Sequence, residues 1–169
     1  MNSAKKIILS GVFTALLIGG QLALSGISGI EVVTVLLLAF VYRYGIGQGL
    51  LVANAFSLLR CFIFGFMPNV IVLYLIYYNV FIVIFGFIGK VFKHEYSIKK
   101  HVIVLFIAVI MTALFTMMDN VLTPLMYGFT VNAAKAYFFA SLYTVFPQIT
   151  CTFVTVLTIF PVLLRILKI

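Results

Sequence analysis

Apolar runs of about twenty residues, broken by short polar or glycine-rich stretches, make up nearly the whole of this chain. They predict six helices: Ile7 to Leu24, Glu31 to Tyr44, Ile46 to Phe66, Val70 to Phe92, Val102 to Met126, and a last one that follows Pro147 to Leu167. Runs of that length and continuity suit helices that span a bilayer. A membrane barrel would instead show short segments of alternating polarity. The second run is short for a span, so it either borrows length from its flanks or stops short of one face. Between the runs, Ser25 to Ile30 is a Gly/Ser loop, Met67-Pro68-Asn69 a turn, and KHEYSIKKH (Lys93 to His101) a polar loop, with another loop over Gly128 to Asn132. From Ala133 the sequence is helical again, but Pro147 lies inside it. An interior proline removes one backbone bond and clashes with the preceding turn. The segment up to Phe146 is therefore predicted to be a short interfacial helix, bent at Pro147 into the sixth span.

Composition fixes the class. Of 169 residues, 65% are hydrophobic and 8% charged, too few charges to cover a soluble surface. The expected fold is an all-α membrane protein, one integral membrane domain over 1–169, with six transmembrane helices and a kinked last helix. The net charge of +8 comes from basic residues set singly or in pairs between apolar runs, which marks topology rather than nucleic-acid binding. Six spans place both termini on one side. Lys5, Lys6, Arg43, Lys90, Lys93, Lys99, Lys100, Arg165 and Lys168 then share that side, and only Arg60 and Lys135 do not. That bias predicts cytoplasmic termini. Glu95, His94 and His101 fall in the polar loop and are expected to be solvated. Cys61 and Cys151 have no metal-ligand spacing and read as small apolar residues.

Polar groups inside the apolar runs carry the functional signal, because hydrocarbon does not solvate them. With the topology above, they converge on the outer half of the bundle. Glu31 opens helix 2; Asn54, Ser57, Arg60 and Cys61 lie on helix 3; Tyr74, Tyr77, Tyr78 and Asn79 lie on helix 4. Thr116, Asp119, Asn120 and Thr123 share one face of helix 5, Lys135 sits at the outer interface, and Gln148 and Thr152 share a face of helix 6. The inner halves are almost free of polar groups, whereas a channel or proton relay needs them along its full depth. The pattern therefore predicts an outer pocket for a small molecule, with Glu31, Asn54, Arg60, Tyr74, Tyr78, Asn79, Asp119, Asn120, Lys135 and Gln148 as the substrate-binding set. Several tyrosines and few charges favour a flat, mostly neutral ring with at most one anionic group for Arg60 or Lys135. The same residues also admit structural roles: Glu31–Arg60 and Asp119–Arg60 as ion pairs, the tyrosines as an interfacial belt, Lys135 as a snorkelling side chain. No nucleophile–base pair, metal set or spanning histidine points to an enzyme or to a bound cofactor.

Helix 1 carries a second feature. Gly11, Ala15, Gly19 and Ala23 form a small-residue seam with a spacing of four. Such seams let helices approach closely in lipid, either within this chain or against another membrane protein.

These residues resemble the substrate-binding S components of energy-coupling factor (ECF) transporters, bacterial importers of vitamins and related micronutrients. GIEVVTVLLLAFVYRYG is similar to the N-[VI]-E-x-V-[TS]-L-L stretch that opens helix 2 in some members; LLRCFIFGF with YLIYYNV, and the closing TIFPVLLRIL, resemble their later helices. The resemblance covers nearly the whole chain. It implies capture of a micronutrient from outside under a lid formed by Ser25 to Ile30. It also implies docking through the Gly11–Ala23 seam onto a membrane T component with two cytoplasmic ATPases, then toppling to deliver the ligand inside a bacterial plasma membrane. The chain has no G-x-x-x-x-G-K-[ST] loop of its own, so the resemblance implies that ATP is used by its partners. Many members begin helix 6 with a G-x-P-x-D-x-x-H-x-x-x-N pattern. Here SLYTVFPQITCTF puts Ser141 near the glycine, Gln148 near the histidine and Thr152 near the asparagine, so no substrate carries over. Two alternatives remain at this point: a stand-alone carrier, for which inverted repeats are expected, and a ligand-free structural or regulatory subunit.

Overall fold

The computed structural model describes residues 3–27, 29–93, 95 and 97–167. Ser28 of the proposed lid, His94 and the topology-marking Lys168 lie outside the described residues. All regular structure among those described is helical: α1 (Ser3–Leu24), α2 (Val33–Tyr44), α3 (Ile46–Leu59), α4 (Cys61–Phe64), α5 (Pro68–Val91), α6 (Ile98–Tyr127) and α7 (Val131–Ile166). Five stretches are long and apolar enough to cross a membrane, with α3 and α4 counted as one. Large apolar side chains cover the outside as well: Val12, Phe62, Phe87, Phe106 and Leu125 are all more than half exposed. That exterior suits lipid, as a multi-pass membrane protein requires.

The bundle is built around α2. From Val33 to Tyr42 every side chain except the half-buried Leu36 is buried, as expected of a helix apolar all round. α1, α3, α5 and α7 surround it. Phe40 meets Phe13 of α1 at a ring separation of 4.5 Å, and Tyr42 meets Phe160 of α7 edge-on at 5.5 Å. Its 12 residues rise about 18 Å, less than the ~30 Å of a hydrocarbon core, so the helix by itself is shorter than an ordinary span. α5 lies close against it because Gly89 has no side chain. A Cβ there would sit 2.7 Å from the Tyr42 carbonyl oxygen and 3.1 Å from its Cα.

Several boundaries differ from the sequence expectation. α2 begins at Val33, which leaves Glu31 in the connection. The third run is interrupted at Arg60, and α6 starts at Ile98, inside the polar loop. His101 is therefore buried rather than solvated: its Nε2 lies 2.9 Å from the Val156 carbonyl oxygen and its ring lies beside Phe160. The separate interfacial helix is not seen either. α7 is one helix of 36 residues with Pro147 and Pro161 inside it. Neighbouring helices and lipid burial tolerate prolines that would break a helix in water.

The ends sort by charge. Lys5, Lys6, Arg43, Lys90, Lys99, Lys100 and Arg165 lie in the terminal turns of α1, α2, α5, α6 and α7 at the end where the first and last helices begin and finish. There Arg43 Nε donates to the Leu167 carbonyl oxygen at 3.2 Å, and Tyr42 Oη to that of Glu95 at 3.0 Å.

Candidate functional site

At the opposite end the helices part around a cavity of about 300 Å³, bounded by Gln21 of α1, the α1–α2 connection, Thr34 of α2, Phe64 of α4, Tyr74, Tyr77 and Tyr78 of α5, Thr112 and Phe115 of α6, and Gln148 of α7. The spacing of the tyrosines explains their convergence: positions 74, 77 and 78 share one face of α5. Their rings meet edge-on, Tyr74–Tyr78 at 5.1 Å and Tyr77–Tyr78 at 5.2 Å, and Phe115 closes the wall 4.8 Å from Tyr77.

Ser25, Ile27, Gly29, Ile30 and Glu31 of the connection line the cavity. Gly29 anchors this roof. Its φ of +80° is costly for a side-chain-bearing residue, and a Cβ there would sit 2.6 Å from Cβ of Pro147. Two residues on, Cys151 of α7 holds the backbone of Glu31. Its Sγ lies 3.4 Å from the Glu31 amide nitrogen and 3.2 Å from the Glu31 carbonyl oxygen. The Glu31 carboxylate accepts from the Thr34 hydroxyl. Burial pushes this carboxyl above the usual carboxylate range, and the Thr34 bond pulls the other way.

Of the ten expected binding residues, Glu31, Tyr74, Tyr78 and Gln148 line this cavity. Arg60 does not. Its Nε donates to Gln21 Oε1 at 3.1 Å, while Gln21 Nε2 donates to Tyr74 Oη at 3.1 Å. The guanidinium also lies over the Tyr74 ring at 4.3 Å and the Phe64 ring at 5.0 Å, an arrangement that favours a cation. Neither expected ion pair forms: among the described residues the one salt bridge is Lys100–Glu95 at 3.2 Å, at the other end. Asn54 and Asn79 pair with each other between α3 and α5 at 3.0 Å, and Asn54 also caps its own Leu50 carbonyl. Ser57 and Cys61 likewise bond carbonyls one turn back. Lys135 lies apart on an open groove with Phe129, Phe138 and Phe139.

Asp119 and Gln148 belong to a second cavity, of about 260 Å³, with Thr116, Tyr137, Ser141 and Thr144. Gln148 and Phe115 line both cavities. Gln148 is held there by a 3.0 Å bond from Thr116 Oγ1. Asp119 takes 2.6 Å hydrogen bonds from Thr123 and Tyr137. Asn69 of α5 donates to Thr123 Oγ1 at 2.9 Å and accepts from Tyr127. Asn120 donates to Ser141 at 2.8 Å. This network ties α5, α6 and α7 together. Asp119→Ala is expected to strand both hydroxyls. With hydrogen bonds to a charged group contributing about 2 kcal/mol each, the apparent melting temperature in mild detergent falls by roughly 10 °C, and Asp119→Asn loses less.

The sequence does not single out Gln21, Thr34, Thr112 or Phe115, and it places Tyr77 in the outer half without counting it in the binding set. Gln21 had a signal: it is a polar residue inside the apolar run LLIGGQLAL, the rule that singled out Arg60. Comparisons with family models, with curated proteins and with solved structures find no match to this chain.

Proposed function

We propose that this chain is the substrate-binding membrane subunit of an ATP-driven importer of the ECF type. On this reading it is a bacterial plasma-membrane protein of six spans with both termini in the cytoplasm. It captures a micronutrient-sized molecule from outside and delivers it by docking on a T component with two ATPases. The observation that carries the reading is the roofed cavity. It is aromatic on its walls, has a few convergent polar groups, and lies at the end away from the basic helix ends. Such a volume suits a small organic molecule. Residues of the α1–α2 connection line it, which supports reading that connection as the lid.

The helix 1 seam supports the docking half of the proposal. Gly11, Ala15, Gly19 and Ala23 are all exposed, and a Cβ at Gly11 or Gly19 would meet nothing within 4 Å. The buried face of α1 is a different one, Ser10, Phe13, Thr14 and Leu17. The seam therefore does not pack within this chain. Ala15→Leu or Gly11→Leu is expected to leave ligand binding intact and to reduce uptake and co-purification with the T component by at least ten-fold; normal uptake by both variants would remove the docking role.

The reading as a whole is tested by mass spectrometry of small molecules released from the protein purified in mild detergent. A stoichiometric compound, lost in a variant with Tyr78→Leu, is the expected result. An empty protein that no vitamin or nucleobase stabilises against heat would leave the ligand-free structural subunit.

A further inference from the structure

The charges around the two cavities run opposite to those of the molecule. The chain has eleven Lys and Arg and three Asp and Glu. Among the described residues no lysine or arginine lines either cavity, while two of the three acidic residues, Glu31 and Asp119, do. Arg60 is not on either lining but lies directly behind the main cavity's wall, on Gln21, Tyr74 and Phe64. Lys135 is on the outer groove. The sequence places Arg60 and Lys135 in the pocket and favours a mostly neutral ring with at most one anionic group. Among the described residues, Glu31 is the one charged side chain on the main cavity's lining.

We propose that the main cavity takes an organic cation, a flat ring or small group bearing one positive charge. This rests on the binding-subunit reading above. A carboxylate removed from water without a counter-charge is costly, and a cation in contact with it supplies what the protein does not. The Glu31 carboxylate has one hydrogen-bond partner among the described residues, Thr34, and Glu31 is among the residues that line the cavity. The walls point the same way. Tyr74, Tyr77, Tyr78, Phe64 and Phe115 surround the space, and aromatic faces attract an ammonium or a charged heteroaromatic ring. The protein already uses Tyr74 and Phe64 in this way for its own Arg60. A ligand anion would meet the Glu31 carboxylate with no lysine or arginine on the lining to offset it. Asp119 in the adjoining cavity extends the negative field on the far side of Gln148 and Phe115.

The test uses the full chain in a detergent without ammonium groups and three probes of one ring: 1-methylnicotinamide (cation), nicotinamide (neutral) and nicotinate (anion). Equilibrium dialysis is expected to show saturable binding of the cation at least ten-fold tighter than of either other probe. Glu31→Gln is expected to remove that preference and Glu31→Asp to keep it, with both variants eluting and melting like the parent. Equal or tighter binding of nicotinate or nicotinamide, or a preference unchanged in Glu31→Gln, overturns the proposal. The molecule released from the purified protein separates the two levels. A neutral or anionic compound refutes the charge assignment and leaves the binding subunit standing. Absence of any released compound, together with no binding of any probe, refutes both.

Discussion

Gly89→Val is expected to abolish recovery of folded protein. The new side chain would begin 2.7 Å from the Tyr42 carbonyl oxygen and 3.1 Å from its Cα. Both are backbone atoms of a helix buried on every side, so no rotamer change relieves the clash. α5 would have to step away from α2, opening the packing of Phe81, Ile82 and Phe85, all fully buried. Overpacking costs about 1–3 kcal/mol where side chains yield, and more where only backbone can move. The variant should aggregate on size-exclusion chromatography, and Gly89→Ala should melt about 10 °C below the parent, given a shift of roughly 2–4 °C per kcal/mol. Gly11→Ala is the control, since a Cβ there meets nothing within 4 Å. A Gly89→Val protein that elutes and melts normally would mean that α2 and α5 do not touch at this point.

The second large effect is expected at the roof. Gly29→Ala combines a φ of +80° with a Cβ placed 2.6 Å from that of Pro147. The strain is about 1–3 kcal/mol, and it falls on a connection rather than on the core. The loop should lift off α7 and carry Glu31 away from Thr34 and Cys151. The expected result is a ten- to hundred-fold loss of ligand affinity with a melting temperature within a few degrees of the parent. A parallel fall in both would show that the roof holds the bundle together rather than the ligand. Unchanged affinity would show that the connection plays no part in binding.

Much of the architecture is legible in the sequence because bilayer-length apolar runs leave few choices. The central place of α2 is not legible in the same way, since VTVLLLAFVYRY is no more apolar than the runs of α5 or α6. The depth of each polar residue follows from its place in its helix. Its azimuth does not, and there the reading of the site fails. Glu31 and Arg60 lie near the same end, but Arg60 turns toward α1, where Gln21 accepts its hydrogen bond. Asp119 accepts from Tyr137 of α7 and from Thr123 of its own helix and forms no salt bridge with Arg60 among the described residues. The charged neighbours of His101 predict a solvated side chain, yet the helix begins earlier and brings the imidazole against Val156 of α7. The role of Cys151 left no trace in the sequence: its thiol meets a backbone 120 residues away.

α6 and α7 have 30 and 36 residues, so at the usual helical rise they measure about 45 and 54 Å. The α3–α4 stretch has 19 and measures about 28 Å. The α3–α4 flank is thus close to the thickness of an ordinary hydrocarbon core and the α6–α7 flank is longer, even after the polar first turn of α6 is set aside. A flat lipid sheet accommodates both flanks only by thickening beside α6 and α7 or by letting the bundle lean, at a fraction of a kcal/mol per ångström of hydrophobic mismatch. Lipid thickness is then expected to act as a torque on the protein, with more lean in thin membranes and less in thick ones.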